Sequence, residues 1–347
     1  MSNLEQFATL GCEKLVAASA AEPRDSARLL VLHRDTGVME HRVFRDIREY
    51  LRKGDCIVIN DTKVFPAKLP GKKSTGGKTE LLLVHRDGAD NRWAALCRDG
   101  KSGLKIIFGG DVSATAVEKN AQGEWIFEFS IPSALDLALA QGQVPLPHYI
   151  EKARKDAGAP KQTSNDKRRY QTVFARETGS IAAPTAGFHF TDTLVADLKA
   201  DGIMFAPVTL HVGWGTFRPV LDGDPKKHTM LAEFAQLSPE TADKINAARA
   251  AGGRIISVGT TSTRTLESFS DEKGLVSPGA KWADIFIYPP YRFKAPDILV
   301  TNFHVPSSTP LFMAAAFAGE EKLFAAYTEA VKLKYRFYSY GDSMMII

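Results

Sequence analysis

The chain changes texture near its middle, and that change limits the folds open to it. Residues 56–60, 79–84, 92–97, 104–108, 112–117 and 125–129 are short strand-forming stretches at close spacing. Gly76-Gly77, Asp87-Gly88, Gly109-Gly110 and Gln122-Gly123 stand between them as turn chemistry. In the last stretch Trp125, Phe127 and Phe129 alternate with Ile126 and Glu128, the period of a strand with a buried face. This region predicts a small barrel or compact sheet.

Beyond Gly179 the pattern becomes helix alternating with strand. Thr191 suits an N-cap for an amphipathic helix over 192–200, with Leu194, Val195 and Leu198 on one face. A strand over 203–212 follows. Ser238-Pro239 opens a helix that runs to Gly252-Gly253, with serine as cap and proline at the first helical position. Then come a strand over 254–258, a short helix over 263–268, strands at 285–288 and 298–301, and helices from Thr309-Pro310 to 317 and over 320–333. Strands separated by helices call for a mostly parallel sheet covered on both faces. The fold class expected is α/β: a larger α/β domain beside a smaller β domain, in keeping with 347 residues. Residues 28–32 and 43–51 offer one strand and one helix, whose allegiance periodicity does not settle.

Charged residues make up 24% and the hydrophobic set 44%, ordinary values for a water-soluble chain. No apolar run approaches the ~20 residues a membrane helix needs. The opening MSNLEQFATLGCEKL lacks a basic-then-apolar leader, so no secretory signal is expected. Cys12, Cys56 and Cys97 lie far apart with no CxxC pair, which argues against a disulfide frame or zinc site and fits a reducing cytoplasm. The net charge of +4 is mild, but Lys152, Arg154, Lys155, Lys161, Lys167, Arg168 and Arg169 crowd into one segment. With Gly158, Pro160, Gln162, Ser164 and Asn165 among them, 152–169 reads as a mobile basic linker, suited to a phosphate backbone or simply solvated.

In open α/β sheets, ligands gather at the carboxyl ends of strands, near helix N-termini. Four loops answer that description. The first is 181–191, where Pro184 and Gly187 break regular structure and Gly187 admits close backbone approach. The second, 209–219, contains His211, Gly213, Gly215 and Thr216, with Trp214 and Phe217 as a wall for a purine. The third, 259–265, brings Gly259, Thr260, Thr261, Ser262, Thr263 and Arg264; the fourth, 301–306, brings Asn302 and His304. A histidine at a strand end is often only a hydrogen-bonded structural residue, and hydroxyl clusters often only cap helices. The histidines are not spaced i, i+4 and no cysteine accompanies them, so no metal is expected. Read from the residues, this is an α/β enzyme binding an anionic or nucleoside ligand.

Taken together, the loops resemble a known family. Asn60-Asp61-Thr62-Lys63-Val64-Phe65-Pro66-Ala67, Gly76-Gly77-Lys78, Tyr170-Gln171-Thr172-Val173-Phe174-Ala175, the 182–191 loop, His211-Val212-Gly213, Gly215-Thr216-Phe217, Gly259-Thr260-Thr261-Ser262, Thr301-Asn302-Phe303-His304 and Tyr338-Ser339-Tyr340-Gly341-Asp342 are similar to the S-adenosylmethionine:tRNA ribosyltransferase-isomerases of queuosine biosynthesis. The resemblance runs in order from about Arg24 to Ile347. It implies transfer and isomerisation of the ribosyl moiety of S-adenosylmethionine onto 7-aminomethyl-7-deazaguanine at the tRNA wobble position, giving epoxyqueuosine-tRNA, adenine and methionine. It also implies a small β-barrel (63–149) inserted into a discontinuous α/β domain (1–62 and 150–347), a cytoplasmic monomer, and no metal.

Under that resemblance His189, His211, His304 and Arg264 are the catalytic candidates, since imidazole titrates near neutrality and Arg264 suits a carboxylate or phosphate. Thr185, Gly187, Gly213, Gly215, Thr216, Gly259, Thr260, Thr261, Ser262 and Asn302 are the candidates for S-adenosylmethionine. Lys152, Arg154, Lys155, Lys167, Arg168 and Arg169 are those for tRNA, and Asp61 and Asp342 for ribose or the sulfonium. The chain departs from the family pattern at Ala18, Leu231 and Ser307, where a glutamine-proline run, a second histidine and a basic residue are usual, and Trp214 replaces a smaller apolar residue. These departures leave a non-catalytic tRNA- or nucleoside-binding relative as the alternative.

Overall fold

The computed structural model describes residues 3–217, 220 and 225–347, with the main chain alone at 3, 216 and 217. Near the N-terminus β1 (Arg28–Leu32) and β2 (Met39–Val43) form an antiparallel pair, followed by a 3-10 segment at Phe44–Tyr50. The helix expected over 43–51 is therefore a tighter 3-10 element. After β3 (Cys56–Asn60) and the short β4 (Thr62–Val64) the chain enters six strands: β5 (Lys68–Lys73), β6 (Lys78–Arg86), β7 (Arg92–Leu96), β8 (Lys105–Gly109), β9 (Val112–Lys119) and β10 (Trp125–Phe129). They close into an antiparallel barrel in the order β10-β7-β6-β5-β8-β9, around buried Leu69, Leu81, Leu83, Ile106 and Phe127. β5, with its proline, glycine and three lysines, carries no period-two signal. Its Gly71 is demanded by packing, because a Cβ there would stand 2.7 Å from Ile106 Cγ2.

Past the barrel come α1 (Ala134–Gln141), α2 (His148–Asp156) and α3 (Asp166–Arg169). The segment expected to be a mobile linker is thus folded. Arg154 ties α2 to α3 by donating to both oxygens of Asp166 at 2.8 and 2.7 Å, with both side chains buried. β11 (Glu177–Ser180) then pairs in parallel with β4 where the chain re-enters the larger domain. The remainder is α4 (Asp192–Ala200), β12 (Met204–Leu210), β13 (Glu233–Leu237), α5 (Pro239–Ala250), β14 (Ile255–Val258), α6 (Gly259–Phe269), β15 (Gly279–Ala283), β16 (Ile298–Asn302), α7 (Thr309–Ala318), α8 (Glu320–Lys332) and β17 (Ser343–Ile346).

Among the described residues, nine strands build one mixed sheet in the order β15-β13-β12-β3-β14-β16-β17-β1-β2. Its centre, β12-β3-β14-β16, is parallel. Antiparallel pairs extend it through β13 and β15 on one flank and through β17 on the other. Both faces are covered, as the alternation along β3 makes plain: Cys56 and Val58 pack into one core, Ile57 and Ile59 into another.

Two further local expectations fail. Residues 285–288 are not a strand: Ile287 is buried as coil and the Phe286 ring meets Phe312 at 5.7 Å. Pro289 and Pro290 follow and cannot donate to a ladder. The edge is formed instead by β15, whose exposed residues show no apolar alternation. Helix α6 also begins at Gly259, four residues before the position expected, directly on the end of β14.

Candidate active site

The carboxyl ends of β14 and β16 open into a cavity of ≈ 690 Å³. Gly259, Thr260 and Thr261 line it at the start of α6, with Thr185, Asn302 and His304 beside them. Gly259 makes this junction possible. Its φ of 85° lies in the left-handed region, and a Cβ there would sit 3.5 Å from Ala186 Cβ, so strand passes to helix within one residue. The helix has no side-chain cap at Val258, and first-turn amides have no acceptor within their own helix. Thr261 Oγ1 is buried without a hydrogen-bond partner among the described residues. A buried hydroxyl in that condition costs about 1–3 kcal/mol unless a ligand meets it.

The far wall is held by a polar chain. Thr185 Oγ1 donates to Asn302 Oδ1 at 2.9 Å, and Asn302 Nδ2 donates to the Tyr338 carbonyl at 3.2 Å. His304 Nε2 and Thr301 Oγ1 are hydrogen-bonded at 2.7 Å, and the His304 N–H donates to Tyr327 Oη at 2.6 Å. Burial pushes the His304 imidazole down to about 3, so it is neutral at physiological pH. Aromatic rings complete the room: Tyr149 from α2 and Tyr338. Tyr149 Oη lies 2.6 Å from Ser339 Oγ, and burial raises its phenol to about 12. Glu13 and Asp156 bring carboxylates to the same cavity, and His148 and Lys152 of α2 bring cationic or imidazole groups.

His211, Gly213 and Gly215 lie elsewhere, in a second cavity of ≈ 900 Å³ between the larger domain and the barrel. His211 Nδ1 is 2.8 Å from Thr62 Oγ1, its ring stacks on Phe234, and burial lowers its pKa. Gly179 leaves room for that ring, since a Cβ would come within 2.6 Å of it. Trp214 Nε1 donates to Glu124 Oε1 of the barrel at 2.6 Å, and Leu231 packs over Gly215. Two of the departures from the family pattern therefore face this cavity. The Ala18 carbonyl accepts from Arg154 Nε at 3.2 Å. The Ser307 carbonyl accepts from the Val220 N–H at 2.8 Å. Val212 lines both cavities.

Several expected site residues lie outside the lining of the first cavity or are engaged by neighbouring groups. His189 is 4% exposed, with Nδ1 3.1 Å from the Ala186 carbonyl and Nε2 3.0 Å from that of Gly341. Burial keeps its pKa low, and neither nitrogen is left for a substrate. Gly187 packs on Thr172, 2.9 Å from where a Cβ would lie. Ser262 is fully buried outside the cavity lining. Arg264 is buried against Glu233 and donates to the Ala283 carbonyl at 3.0 Å, while Glu233 also accepts the Gly213 N–H at 2.8 Å. Arg264 lines a small pocket with Thr260 and Thr261, while its partner Glu233 lines the second cavity. Asp342 pairs with Arg28 and Arg336, and Asp61 accepts from Thr209 Oγ1 at 2.7 Å.

Of the basic candidates, Lys152, Lys155, Lys167 and Arg168 are exposed. Arg169 is partly covered and pairs with Glu22 at 2.7 Å. Arg154, closed on Asp166, is removed from any phosphate-binding surface. The side chains of Thr216 and Phe217 lie outside the described residues. Sequence reasoning passed over Glu13, His148, Tyr149 and Ser339. The only signal among them was Tyr338-Ser339-Tyr340, quoted for the resemblance but given no role.

Comparison with known proteins agrees with this architecture. The family model described as queuosine biosynthesis protein matches residues 5–346. The S-adenosylmethionine:tRNA ribosyltransferase-isomerase of Symbiobacterium thermophilum is 49% identical over 341 residues, covering 96% of this chain and 97% of its own. That of Pelotomaculum thermopropionicum is 46% identical, covering 99% and 100%. A crystal structure of S-adenosylmethionine tRNA ribosyltransferase from Thermotoga maritima aligns with a TM-score of 0.53 and 36% identity over 96% of this chain and 97% of that one. The chain belongs to the queuosine-biosynthesis family of S-adenosylmethionine:tRNA ribosyltransferase-isomerases.

Proposed function

We propose that this protein transfers and isomerises the ribosyl moiety of S-adenosylmethionine onto 7-aminomethyl-7-deazaguanine at the wobble position of tRNA. Epoxyqueuosine-tRNA is the product, and adenine and methionine leave. The observation that carries this reading is the ≈ 690 Å³ cavity with its buried, unpartnered Thr261 hydroxyl at the start of α6. A helix start that presents amides and a hydroxyl suits a carboxylate, here that of the methionine portion. Tyr149 and Tyr338 offer aromatic faces for adenine, and Glu13 and Asp156 suit a sulfonium cation.

When bound, S-adenosylmethionine supplies a sulfonium that acidifies the adjoining ribose carbon and an adenine that can depart. The chain must then take up one proton and deliver another. His304, held neutral by burial, is a weak base there and suits hydrogen bonding through its one ring N–H or lone pair rather than proton uptake. His148, exposed on α2 at the cavity edge, is the imidazole with access to solvent and suits protonation of departing adenine. Lys152, on the next turn of α2, joins the exposed Lys155, Lys167 and Arg168 as a basic approach for the tRNA backbone. The protein acts as a cytoplasmic monomer in this proposal, with residues 63–149 as the inserted unit. Among the described residues no helix is long and apolar enough to cross a membrane.

The test is incubation of purified protein with S-adenosylmethionine and tRNA carrying the precursor base, followed by chromatography of the small molecules. Adenine and methionine in equal amounts are expected. S-adenosylhomocysteine would indicate methyl transfer, and no release with a verified substrate would leave only a binding role.

A further inference from the structure

The second cavity is the part of the molecule whose chemistry the donor site leaves unused. Its outer wall is a run of rings. Trp282, on the edge strand β15, is 55% exposed; its ring meets Phe234 at 6.0 Å and His85 of the barrel at 5.7 Å. Phe234 in turn stacks on His211 at 5.7 Å. A half-exposed tryptophan on an edge strand is an association hazard unless something covers it.

The inner wall is polar. Glu124, 3% exposed, is met by Trp214 Nε1 at 2.6 Å, Asn120 Nδ2 at 2.8 Å and His85 Nε2 at 3.2 Å. Burial works against its charge, but these three contacts hold the carboxyl below its ordinary range. A carboxylate has about four acceptor positions, so one more donor can be received. At ≈ 900 Å³ the cavity has ample room for a substituted purine-like base.

A nucleobase reaches a reacting centre by leaving its stack, and its receiving pocket compensates with aromatic faces and hydrogen bonds to the base edge. We propose that the second cavity receives the wobble base of tRNA, stacked on Trp282 and Phe234 with its N–H edge toward Glu124, while the donor occupies the first cavity. This rests on the tRNA reading given above. Val212 lines both rooms, so the two adjoin at that residue.

Fluorescence anisotropy of a labelled anticodon stem-loop bearing 7-aminomethyl-7-deazaguanine tests the proposal, using wild type, Trp282→Ala and Trp282→Phe. Loss of one stacked base is expected to weaken binding about 5- to 150-fold in Trp282→Ala. Trp282→Phe should recover most of the affinity. S-adenosylmethionine binding, measured by equilibrium dialysis, should not change in either variant. A stem-loop abasic at the wobble position should not distinguish Trp282→Ala from wild type. Equal stem-loop affinity in wild type and Trp282→Ala would overturn the base site, as would the same loss with the abasic loop, or lost donor binding. Failure of the underlying reading shows separately, as wild type that releases no adenine; the anisotropy comparison still decides the base site in that case.

Discussion

The two cavities open from one sheet but are made of different materials. The first is lined by main-chain amides and hydroxyls at the ends of β14 and β16, beside an imidazole that burial keeps neutral. The second is assembled across the junction of barrel and sheet from long side chains: Trp214 bonded to Glu124, and Trp282 beside His85. Backbone donors are fixed by the sheet's own ladder, whereas the junction depends on contacts between two independently packed cores. The first room suits a small ligand of fixed shape, and the second a base delivered by a larger partner.

The largest expected effect reaches the second room through Glu233. Arg264→Ala leaves Glu233 as a buried charge without its arginine, a change that typically costs about 3–5 kcal/mol. Chemical denaturation should show that loss in the unfolding midpoint. Normal stability with failed turnover would mean that the arginine holds ligand after all, and the division between cavities would not stand.

Thr261→Val tests the first room alone. Losing a hydrogen bond to a charged group should weaken S-adenosylmethionine binding by about 10- to 150-fold. Stability should hold or rise, because the hydroxyl has no partner among the described residues. Calorimetric titration and a thermal melt read the two quantities, and unchanged affinity would remove α6 from the donor site.

Trp214→Leu, which restores a smaller apolar residue, deletes the bond to Glu124. A net hydrogen bond of about 1 kcal/mol predicts a several-fold rise in KM for tRNA with donor affinity intact. Equal effects on both substrates would show that the rooms are not separable. Smaller still is the salt response. Replacing Lys152 or Lys155 with alanine should each lower the log–log slope of tRNA affinity against salt by about 0.7–0.9, and an unchanged slope would clear α2 of backbone contact.

The gentlest test is pH. His304, His189 and His211 all have folded pKa values below the ordinary imidazole value, so the unfolded chain binds more protons as pH falls. Their contribution to stability is complete above the unfolded value of about 6.5 and declines below it, down toward about 3 for His304. Melting temperature should therefore drop between pH 7 and 5, and His304→Gln should flatten that decline.

Local signals were the readable ones. Thr191 and Ser238 cap their helices as expected, accepting from Leu194 N–H at 3.2 Å and Thr241 N–H at 3.1 Å, because a cap needs only residues three positions away. Strands of the barrel were visible through period-two alternation and glycine turns. β5 and β15 were not, since glycine and proline break the pattern in one and exposure erases it in the other. The histidines divide along the same line. The role of His189 depends on the Gly341 carbonyl, 152 residues distant, and that of Arg264 on Glu233, 31 residues upstream. Arg154 looked like surface charge because nothing in a basic run announces which member Asp166 will claim. Fold class came through in repeated local patterns, while the sorting of polar residues into substrate and scaffold required the tertiary contacts.

The passage from Val258 to Gly259 has a thermodynamic consequence. No flexible linker intervenes, so the strand's last residue clamps the helix's opening turn in place before any ligand arrives. An anion docking there need not freeze a loop. Association then forfeits mainly the motion of the incoming molecule, and affinity for a compact head group can be high from few contacts.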